Sequence, residues 1–227
     1  MFQITQRATA RRIMKAISAI SLLAIGAQQV GAQASVDPAN DFLSTFTGTK
    51  GGDLDVLSAQ VFFDGSRFVF TATMNGIIGA TPGAFYVWGL DKGAGTTPFA
   101  VIGHDGVRFD AVMIMRPATG MTVGATPVND FFFFSGNTIT GAVPLSFFPS
   151  TGFPPNNYKW NLWPRQTGPV GNAQISDFAP DNSDNALTLG VLPAALFVTP
   201  EPSTYLMTFA GLAVVGMATR RRRGFPN

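Results

Sequence analysis

The sequence predicts an all-β domain, most simply a β-sandwich, with one apolar helix near each end of the chain. Of the 227 residues, 25 are glycine and 16 are proline, a composition that argues against a helical bundle. Between residues 35 and 199, short apolar or alternating runs are broken repeatedly by Gly, Pro, Asn and Asp. No segment in that stretch keeps a helical period, so we expect many short strands in one domain.

Two hairpins are the clearest local predictions. In each, two apolar runs flank a three-residue turn that contains glycine, namely Asp64-Gly65-Ser66 and Ser135-Gly136-Asn137. Further strands are predicted over residues 85–90, 107–115 and 159–163. The four consecutive phenylalanines at 131–134 would be buried on both faces, which favours a central strand over an edge strand. The proline-rich residues 144–169 are predicted to be mostly loop.

The net charge of +2 hides an acidic middle of the chain. Residues 35–199 contain twelve aspartates and seven basic residues, which leaves that stretch five units negative. A nucleic-acid-binding domain needs lysine and arginine on its folded surface, so we expect no nucleic-acid partner. The absence of cysteine excludes disulfides, thiolate metal sites and a cysteine nucleophile.

Residues 1–34 have the three regions of a secretory signal peptide. Basic residues between Arg7 and Lys15 precede an apolar stretch at 16–27, and the small residues Ala32 and Ala34 stand at the positions that signal peptidase reads. The apolar stretch is about twelve residues long, too short for a stable membrane span. We therefore expect cleavage after Ala34 and export of the chain that follows. The alternative is an amphipathic helix of the mature protein.

Residues 203–219 predict a single transmembrane helix, because these seventeen residues carry no charge. At about 1.5 Å per residue the helix would be roughly 25 Å long, close to the thickness of the hydrocarbon core. A block of four arginines follows, and the positive-inside rule places that end in the cytoplasm. Pro200-Glu201-Pro202 stands directly before the helix, and its two prolines keep that segment extended.

This arrangement at residues 200–227 resembles the tripartite PEP-CTERM sorting signal of exported bacterial proteins. The signal residues are Pro200, Glu201, Pro202, Ser203, Arg220, Arg221, Arg222 and Arg223. The resemblance implies that exosortase, a membrane-embedded cysteine transpeptidase, recognises the segment and cuts near Pro-Glu-Pro. It also implies transient anchoring in the inner membrane of a Gram-negative-type bacterium, then release to the cell surface or to an exopolysaccharide (biofilm) matrix. A plain single-pass tail anchor is the alternative.

The middle of the chain, residues 35–199, carries a looser resemblance. Residues 86–91 followed by Gly93, then residues 137–144 and then residues 177–181, are similar in order to the strands and turns of DOMON-like domains. Family 9 carbohydrate-binding modules share that sandwich, and a jelly-roll-like sandwich fits the same pattern. The resemblance implies a non-enzymatic binding module, often for sugars and sometimes with structural calcium.

No set of residues in the sequence predicts catalysis. The single histidine, His104, could act as a general base beside Asp105 or Asp110, but glycines on both sides of the His-Asp pair indicate a tight turn. Nucleophile-elbow, HExxH zinc and phosphate-binding glycine motifs are missing from the sequence. The one glutamate, Glu201, lies in the sorting signal, so a glycosidase would have to use two aspartates. We therefore expect a protein that is not an enzyme.

Two groups of aspartates are candidate calcium ligands. Asp53 and Asp55 are two apart, and Asp177, Asp181 and Asp184 lie in one asparagine-rich loop. Calcium takes about six to eight oxygen ligands, and several carboxylates close together supply them. The alternative is that these aspartates only close turns through their own backbone. We expect no cofactor other than this structural calcium.

Tyr158, Trp160 and Trp163 are candidate glycan-binding residues, because they lie in a Pro- and Asn-rich region where aromatic rings are often partly exposed. The alternative is that they fill the core beneath a long loop. Together these observations predict an exported, non-enzymatic protein of the cell surface or matrix that binds polysaccharide or another extracellular partner. An aspartate-dependent glycan hydrolase and an inert structural matrix protein are the two alternatives.

Overall fold

The computed structural model describes residues 34–190, and these residues form β-strands joined by loops and short 3-10 helices. The strands are β1 (Ser35–Val36), β2 (Val56–Phe63), β3 (Arg67–Met74), β4 (Ala84–Asp91), β5 (Ala111–Arg116), β6 (Gly120–Val123), β7 (Thr126–Pro127), β8 (Phe132–Ser135), β9 (Thr138–Pro144), β10 (Lys159–Gln166), β11 (Asn185–Ala186) and β12 (Thr188–Leu189). The 3-10 helices are Gly52–Leu54, Ala100–Ile102, Leu145–Phe147, Pro155–Asn157 and Gly171–Gln174. The predicted all-β class is confirmed.

The strands form two sheets of six strands each. The first sheet has the order β1-β2-β3-β9-β8, and β12 also pairs with β2. The second sheet has the order β11-β10-β4-β5-β6-β7. Neighbouring strands are antiparallel, except that β12 runs parallel to β2. Strand β1 pairs with β2 at Ser58 and Ala59, whereas β12 pairs with it at Phe62 and Phe63. The first and last strands of the described chain therefore share one edge of β2.

The main core lies between the two sheets, as a β-sandwich requires. Phe68, Phe70 and Met74 alternate along β3, and all three are fully buried, which places them on the face of the strand that meets the core. Phe70 meets Trp88 of the second sheet edge-on, with ring centroids 5.9 Å apart. Each such side chain contributes about 1.5–3 kcal/mol by leaving water.

Both predicted hairpins are confirmed. Strands β2 and β3 pair from Phe63 and Phe68 outward around the turn. The Asp64 carboxylate closes that turn by accepting the backbone N–H groups of Ser66 and Arg67, each at 2.8 Å. Strands β8 and β9 pair around the second turn. Asp64, at the first turn position, therefore stabilises the turn through hydrogen bonds to its backbone, as aspartate commonly does.

The prediction that the four phenylalanines form a central strand is wrong. Strand β8 is the last strand of the first sheet, and residues 131–134 are half-buried rather than buried. Alternate rings pack in pairs on opposite faces: Phe131 meets Phe133 at 5.1 Å, and Phe132 meets Phe134 at 6.1 Å. Contact between neighbouring rings on each face shields an edge strand that would otherwise be strongly exposed.

Two strand boundaries also differ from prediction. Strand β10 continues through Pro164 to Gln166, so the proline-rich region contains a full strand as well as loops. Its pairing with β11 is confined to Lys159 and Trp160, so Pro164 lies where that partner has ended and a missing N–H costs no hydrogen bond to it. Strand β5 begins only at Ala111, after Asp110.

Several predicted features lie outside the described residues. They are the signal peptide up to Gln33 with Ala32, the end of the proposed domain at 191–199, the apolar span at 203–219, and the sorting residues from Pro200 to Arg223. Ala34, before the predicted cleavage point, is described and exposed. Among residues 34–190, no helix is long and apolar enough to cross a membrane.

Candidate metal centre

Four aspartates from two distant parts of the chain meet in the fold. Asp37 and Asp41 follow β1, and Asp177 and Asp181 lie in the loop after β10. One carboxylate oxygen of each lies within 4.8 Å of the corresponding oxygen of every other. We call these four residues the four-aspartate cluster. It includes two of the predicted calcium ligands, Asp177 and Asp181, and two residues that the sequence did not indicate.

The N-terminal pair is held by a tight turn between its members. The backbone N–H of Asp37 donates to the carbonyl of Leu57 at 3.0 Å, which extends the β1 pairing by one residue. Asn40 has a φ of 67°, a left-handed conformation that asparagine tolerates better than most residues. Its N–H donates to the Asp55 carboxylate at 2.9 Å, and Asp41 then turns back toward Asp37.

The C-terminal pair is held by backbone contacts. The Asp177 carboxylate accepts the N–H groups of Val56 at 2.8 Å and Phe178 at 2.7 Å. A cis peptide bond joins Ala179 to Pro180 before the chain reaches Asp181. The Nδ1 atom of His104 lies 2.6 Å from the carbonyl oxygen of Asp181, so Nδ1 carries the proton and donates it. His104 thus positions the loop that carries Asp181, with its ring against Phe178 at 4.4 Å.

Burial and mutual repulsion raise the pKa values of these carboxyl groups. Loss of solvent is the largest cause for Asp37, followed by the charges of Asp177, Asp41 and Asp181, so its pKa lies well above the usual range. Desolvation also raises the pKa of Asp177, against the opposing effect of the Val56 N–H. The pKa of Asp41 rises for the same first reason. Bringing these groups together as anions is therefore costly.

No arginine or lysine among residues 34–190 forms an ion pair with a carboxylate of the cluster. The two ion pairs found among residues 34–190 are Arg67–Asp130 and Lys92–Asp110, which involve other aspartates. Asp37 is only 6% exposed, yet its Oδ2 atom has no hydrogen-bond donor in the described chain. The same holds for the buried Oδ1 atom of Asp41. Buried carboxylate oxygens are normally paired, so these two lack the partners expected for such atoms.

The other predicted calcium ligands do not join the cluster. Asp53 is fully buried and accepts both the N–H of Thr81, at 2.9 Å, and the hydroxyl of the same residue. Asp55 accepts the N–H of Asn40 and the side-chain amide of Asn75. Asp184 accepts the N–H of Arg108 at 3.1 Å, and burial raises its pKa to about 6. These three carboxylates fasten loops that are distant in the chain, rather than closing turns through their own backbone.

The arrangement that a general base at His104 would need, and that the sequence argued against, is not assembled. Its Nδ1 atom faces a backbone carbonyl, as described above, rather than a carboxylate. Asp110 instead accepts the N–H groups of Lys92 and Ala94, at 3.1 and 3.2 Å. Asp105 contacts the side-chain amide of Asn182 at 3.3 Å. Neither aspartate is placed to orient the imidazole ring as a general base.

The three predicted glycan-binding aromatics lie in the interior. Tyr158, Trp160 and Trp163 are at most 2% exposed. Trp160 donates its indole N–H to the carbonyl of Ala186 at 3.0 Å, and Trp163 packs on Phe109 at 4.8 Å. A sugar ring stacks on an exposed aromatic face. The prediction that these three rings are partly exposed is wrong, because all three are buried. Trp160 and Trp163 lie in β10 and Tyr158 directly precedes it, so the three rings pack against apolar side chains of the core.

A shallow groove on the second sheet is the described cavity best suited to a ligand. It has a volume of about 420 Å³. Its lining residues come from β5, β6 and the segments beside them: Phe109, Asp110, Ala111, Val112, Val123 and Gly124. A mostly apolar wall with one carboxylate and one aromatic ring is the usual composition of a small-ligand site.

Comparison with known proteins identifies the C-terminal segment. Residues 198–223 match the PEP-CTERM protein-sorting motif. The match covers Pro200-Glu201-Pro202 and all four arginines, so the predicted sorting signal is confirmed. This motif implies an exported protein that exosortase processes on its way toward the cell surface. No curated protein and no solved structure matches the chain, and the resemblance of its middle to DOMON-like and family 9 carbohydrate-binding domains has no support from them.

Proposed function

We propose that this chain is a non-enzymatic protein of the cell surface or extracellular matrix that binds polysaccharide or another extracellular partner. The PEP-CTERM motif at 198–223 is the observation that carries the proposal, since it gives the destination. Exosortase removes the C-terminal span, and signal peptidase removes residues 1–34. The β-sandwich is then the part of the protein that acts outside the cell.

Binding without turnover is supported by the way the described polar residues are used. His104 and Asp110 are engaged by backbone partners, and Asp105 is exposed beside an asparagine amide. None of the three forms the chain of nucleophile, base and orienting group that acyl or glycosyl transfer needs. This use of the three side chains supports binding without turnover.

The groove beside β5 and β6 is the proposed contact surface for glycan. Phe109 is half-buried and lines the groove with its remaining exposed area, and Val112 extends the apolar wall. Apolar sugar faces pack against such walls, and the Asp110 carboxylate offers an acceptor for hydroxyl groups. Trp163 of β10 packs against Phe109 at 4.8 Å and so supports the aromatic side of the groove.

The experiment for this surface is a glycan array probed with mature protein recovered from the cell exterior. Val112→Lys places a charge in the groove, while the long lysine chain can reach solvent without disturbing the fold. We expect this variant to lose at least about tenfold in apparent affinity, equivalent to about 1.4 kcal/mol. Val170→Lys is the matched control, because Val170 is 86% exposed and far from the groove lining.

The sorting part of the proposal is tested by intact mass. Wild-type protein from the cell exterior should begin at Ser35 and end near Pro200-Glu201-Pro202. Glu201→Ala, or replacement of the four arginines by glutamine, should leave the C-terminal segment attached or the protein mislocalised. Unchanged mature mass and unchanged location in both variants would contradict exosortase processing and favour a tail anchor.

An aspartate-dependent glycan hydrolase is the second candidate, and its pair of carboxyl groups would have to come from the four-aspartate cluster. The four oxygens lie within 4.8 Å of one another. Glycosidase carboxyl pairs are about 5–5.5 Å apart in retaining enzymes and about 6.5–9.5 Å apart in inverting ones, so the cluster is tighter than either. Release of reducing sugar from extracellular polysaccharide, lost in Asp181→Asn, would establish the hydrolase. Binding of no glycan at all would leave an inert matrix protein.

A further inference from the structure

We propose that Asp37, Asp41, Asp177 and Asp181 form a calcium site that fastens the N-terminal segment of the exported domain to the loop after β10. The proposal is independent of glycan binding, because the groove is lined by none of these four residues. It rests on the spacing of the carboxylates, on the missing counter-charges and on one buried oxygen that has no donor.

The spacing fits an ion of the size of Ca²⁺. Calcium–oxygen distances are about 2.3–2.6 Å, so two ligands on opposite sides of one ion are up to about 5 Å apart. One oxygen from each of the four aspartates lies within 4.8 Å of the others, a span that a single ion can bridge. The second oxygen of a carboxylate and water molecules complete the usual coordination number of about six to eight.

The charge balance favours a cation. Four carboxylates lie together, Asp55 adds a fifth negative charge close enough to raise the pKa of Asp41, and no arginine or lysine in the described chain pairs with the cluster. Like charges at this separation in a partly buried site repel strongly. A bound divalent ion removes that repulsion and supplies the attraction that the side chains lack.

The independent observation is the state of Asp37. Asp37 is only 6% exposed, and its Oδ2 atom meets no N–H or hydroxyl donor among residues 34–190, although its carboxyl group lies within hydrogen-bond reach of the Asp177 carboxyl. Asp177, which is 1% exposed, has two backbone N–H donors instead. Such an oxygen is buried, belongs to a carboxylate cluster and has no donor. These properties are typical of a metal ligand.

The ligand set selects the class of ion. All four side chains present oxygen, while the nearby His104 uses Nδ1 for the Asp181 carbonyl. Zinc and other transition metals favour nitrogen and sulfur ligands, and Mg²⁺ retains several waters and is held by one or two carboxylates. Four carboxylates from two flexible segments are typical of calcium.

The position of the site gives the ion a structural effect. Asp37 lies three positions after Ala34, the residue before the predicted cleavage, and β1 has only two residues to hold this segment on β2. A cation that joins Asp37 and Asp41 to the loop after β10 adds a cross-link between the two ends of the described domain. Folding would then be completed outside the cell, where calcium is plentiful.

The experiment uses the mature protein freed of metal by chelator and then titrated with CaCl₂ in a calorimeter. We expect one equivalent of Ca²⁺ to bind, with a dissociation constant near the range of about 10⁻⁴ to 10⁻³ M that extracellular calcium modules have. Amide hydrogen exchange should slow at Asp37, whose N–H pairs with Leu57, when calcium is added. MgCl₂ at the same concentrations should bind at least about tenfold more weakly.

The double variant Asp41→Asn/Asp181→Asn removes two ligands at the more exposed positions and leaves the backbone contacts of Asp177 intact. It should lose at least about tenfold in calcium affinity, and in chelator it should melt no lower than the wild type. Asp105→Asn is the matched control, since it removes one exposed carboxylate outside the cluster and should bind calcium normally.

Three results would overturn the site. The first is no calcium binding up to about 10 mM, ten times the weak end of the extracellular range. The second is equal affinity in the double variant and the wild type, which would place the ion elsewhere. The third is binding by the wild type that leaves exchange at Asp37 unchanged, which would remove the fastening role.

Discussion

Asp53 and Asp55 contrast with the four-aspartate cluster, although all six side chains are acidic and lie in loops or short turns. The Asp53 carboxylate is fully buried and receives two donors from Thr81, and Asp55 receives the N–H of Asn40 and the amide of Asn75. In the cluster, by contrast, Asp37 has a buried oxygen with no donor. Among Asp37, Asp53 and Asp55, the number of donors that the fold supplies therefore separates an aspartate that holds a loop from one that needs an external cation.

The largest effect should come from removing Asp53. Asp53→Ala leaves the N–H and hydroxyl of Thr81 buried without their acceptor, and Thr81 is 5% exposed. We expect a loss of about 3–5 kcal/mol in the free energy of unfolding, measured by denaturant titration in chelator. Asp105→Ala, at an exposed position, should change it by less than about 0.5 kcal/mol. A loss below about 1 kcal/mol for Asp53→Ala would mean that its hydrogen bonds do not set it apart from the cluster.

The pH dependence of stability should sharpen the comparison. The pKa values of Asp37 and Asp177 are raised in the folded state, chiefly by burial, so the folded chain holds protons that the unfolded chain has released. In chelator, stability should therefore be greatest near pH 4 and fall as the pH rises toward these raised values. Each extra proton held by the folded chain gives a slope of about 1.4 kcal/mol per pH unit.

The window from pH 6.5 to pH 8.5 is the informative one, because Asp184, whose pKa is about 6, has already lost its proton there. Saturating calcium should flatten the slope, since the bound ion replaces the protons. Unfolding in urea at several pH values, with and without calcium, measures both slopes. A stability in chelator that stays level across this window would show that the cluster carries no excess protons.

The smallest effect should be a gain. Asp41→Asn removes one charge from the cluster at a partly exposed position, and the buried Oδ1 atom of its carboxylate meets no donor in the described chain. In chelator we expect an increase of about 0.5 kcal/mol in the free energy of unfolding, because like-charge repulsion falls. Asp55→Asn should instead cost stability, since Asn40 and Asn75 both donate to that carboxylate. The measurement is the change in the free energy of unfolding of each variant in chelator. Changes of the same sign would show that Asp41 and Asp55 do not differ in the way described.

Local patterns were sufficient for part of the fold. The turns at Asp64 and Gly136, and the alternation of Phe68, Phe70 and Met74, depend on neighbours within a few residues, so both hairpins follow from the sequence. The position of β8 does not, because its apolar run is equally compatible with a central strand or with an edge shielded by its own rings. Sheet order depends on partners far along the chain.

The candidate site shows the same division. Asp177 and Asp181 stood out through their asparagine-rich loop, but Asp37 and Asp41 lie between ordinary loop residues near the predicted cleavage point. Only the shared edge of β2, where β1 and β12 lie end to end, suggests that the two ends of the domain approach each other. The burial of Trp160 and Trp163 likewise depends on β10 lying beside β4, a pairing that the predicted strand at 159–163 does not specify.

The sequence by itself determined the destination of this protein, because the PEP-CTERM motif is a contiguous segment whose residues act in chain order. It also determined the all-β class, because alternation and turn chemistry act over a few residues. Tertiary structure alone decided which aspartates meet, which are satisfied and which aromatic rings are buried. These outcomes depend on distances across the sandwich, and carboxylates that are remote in the chain repel or share a cation only once folding has placed them within a few ångströms.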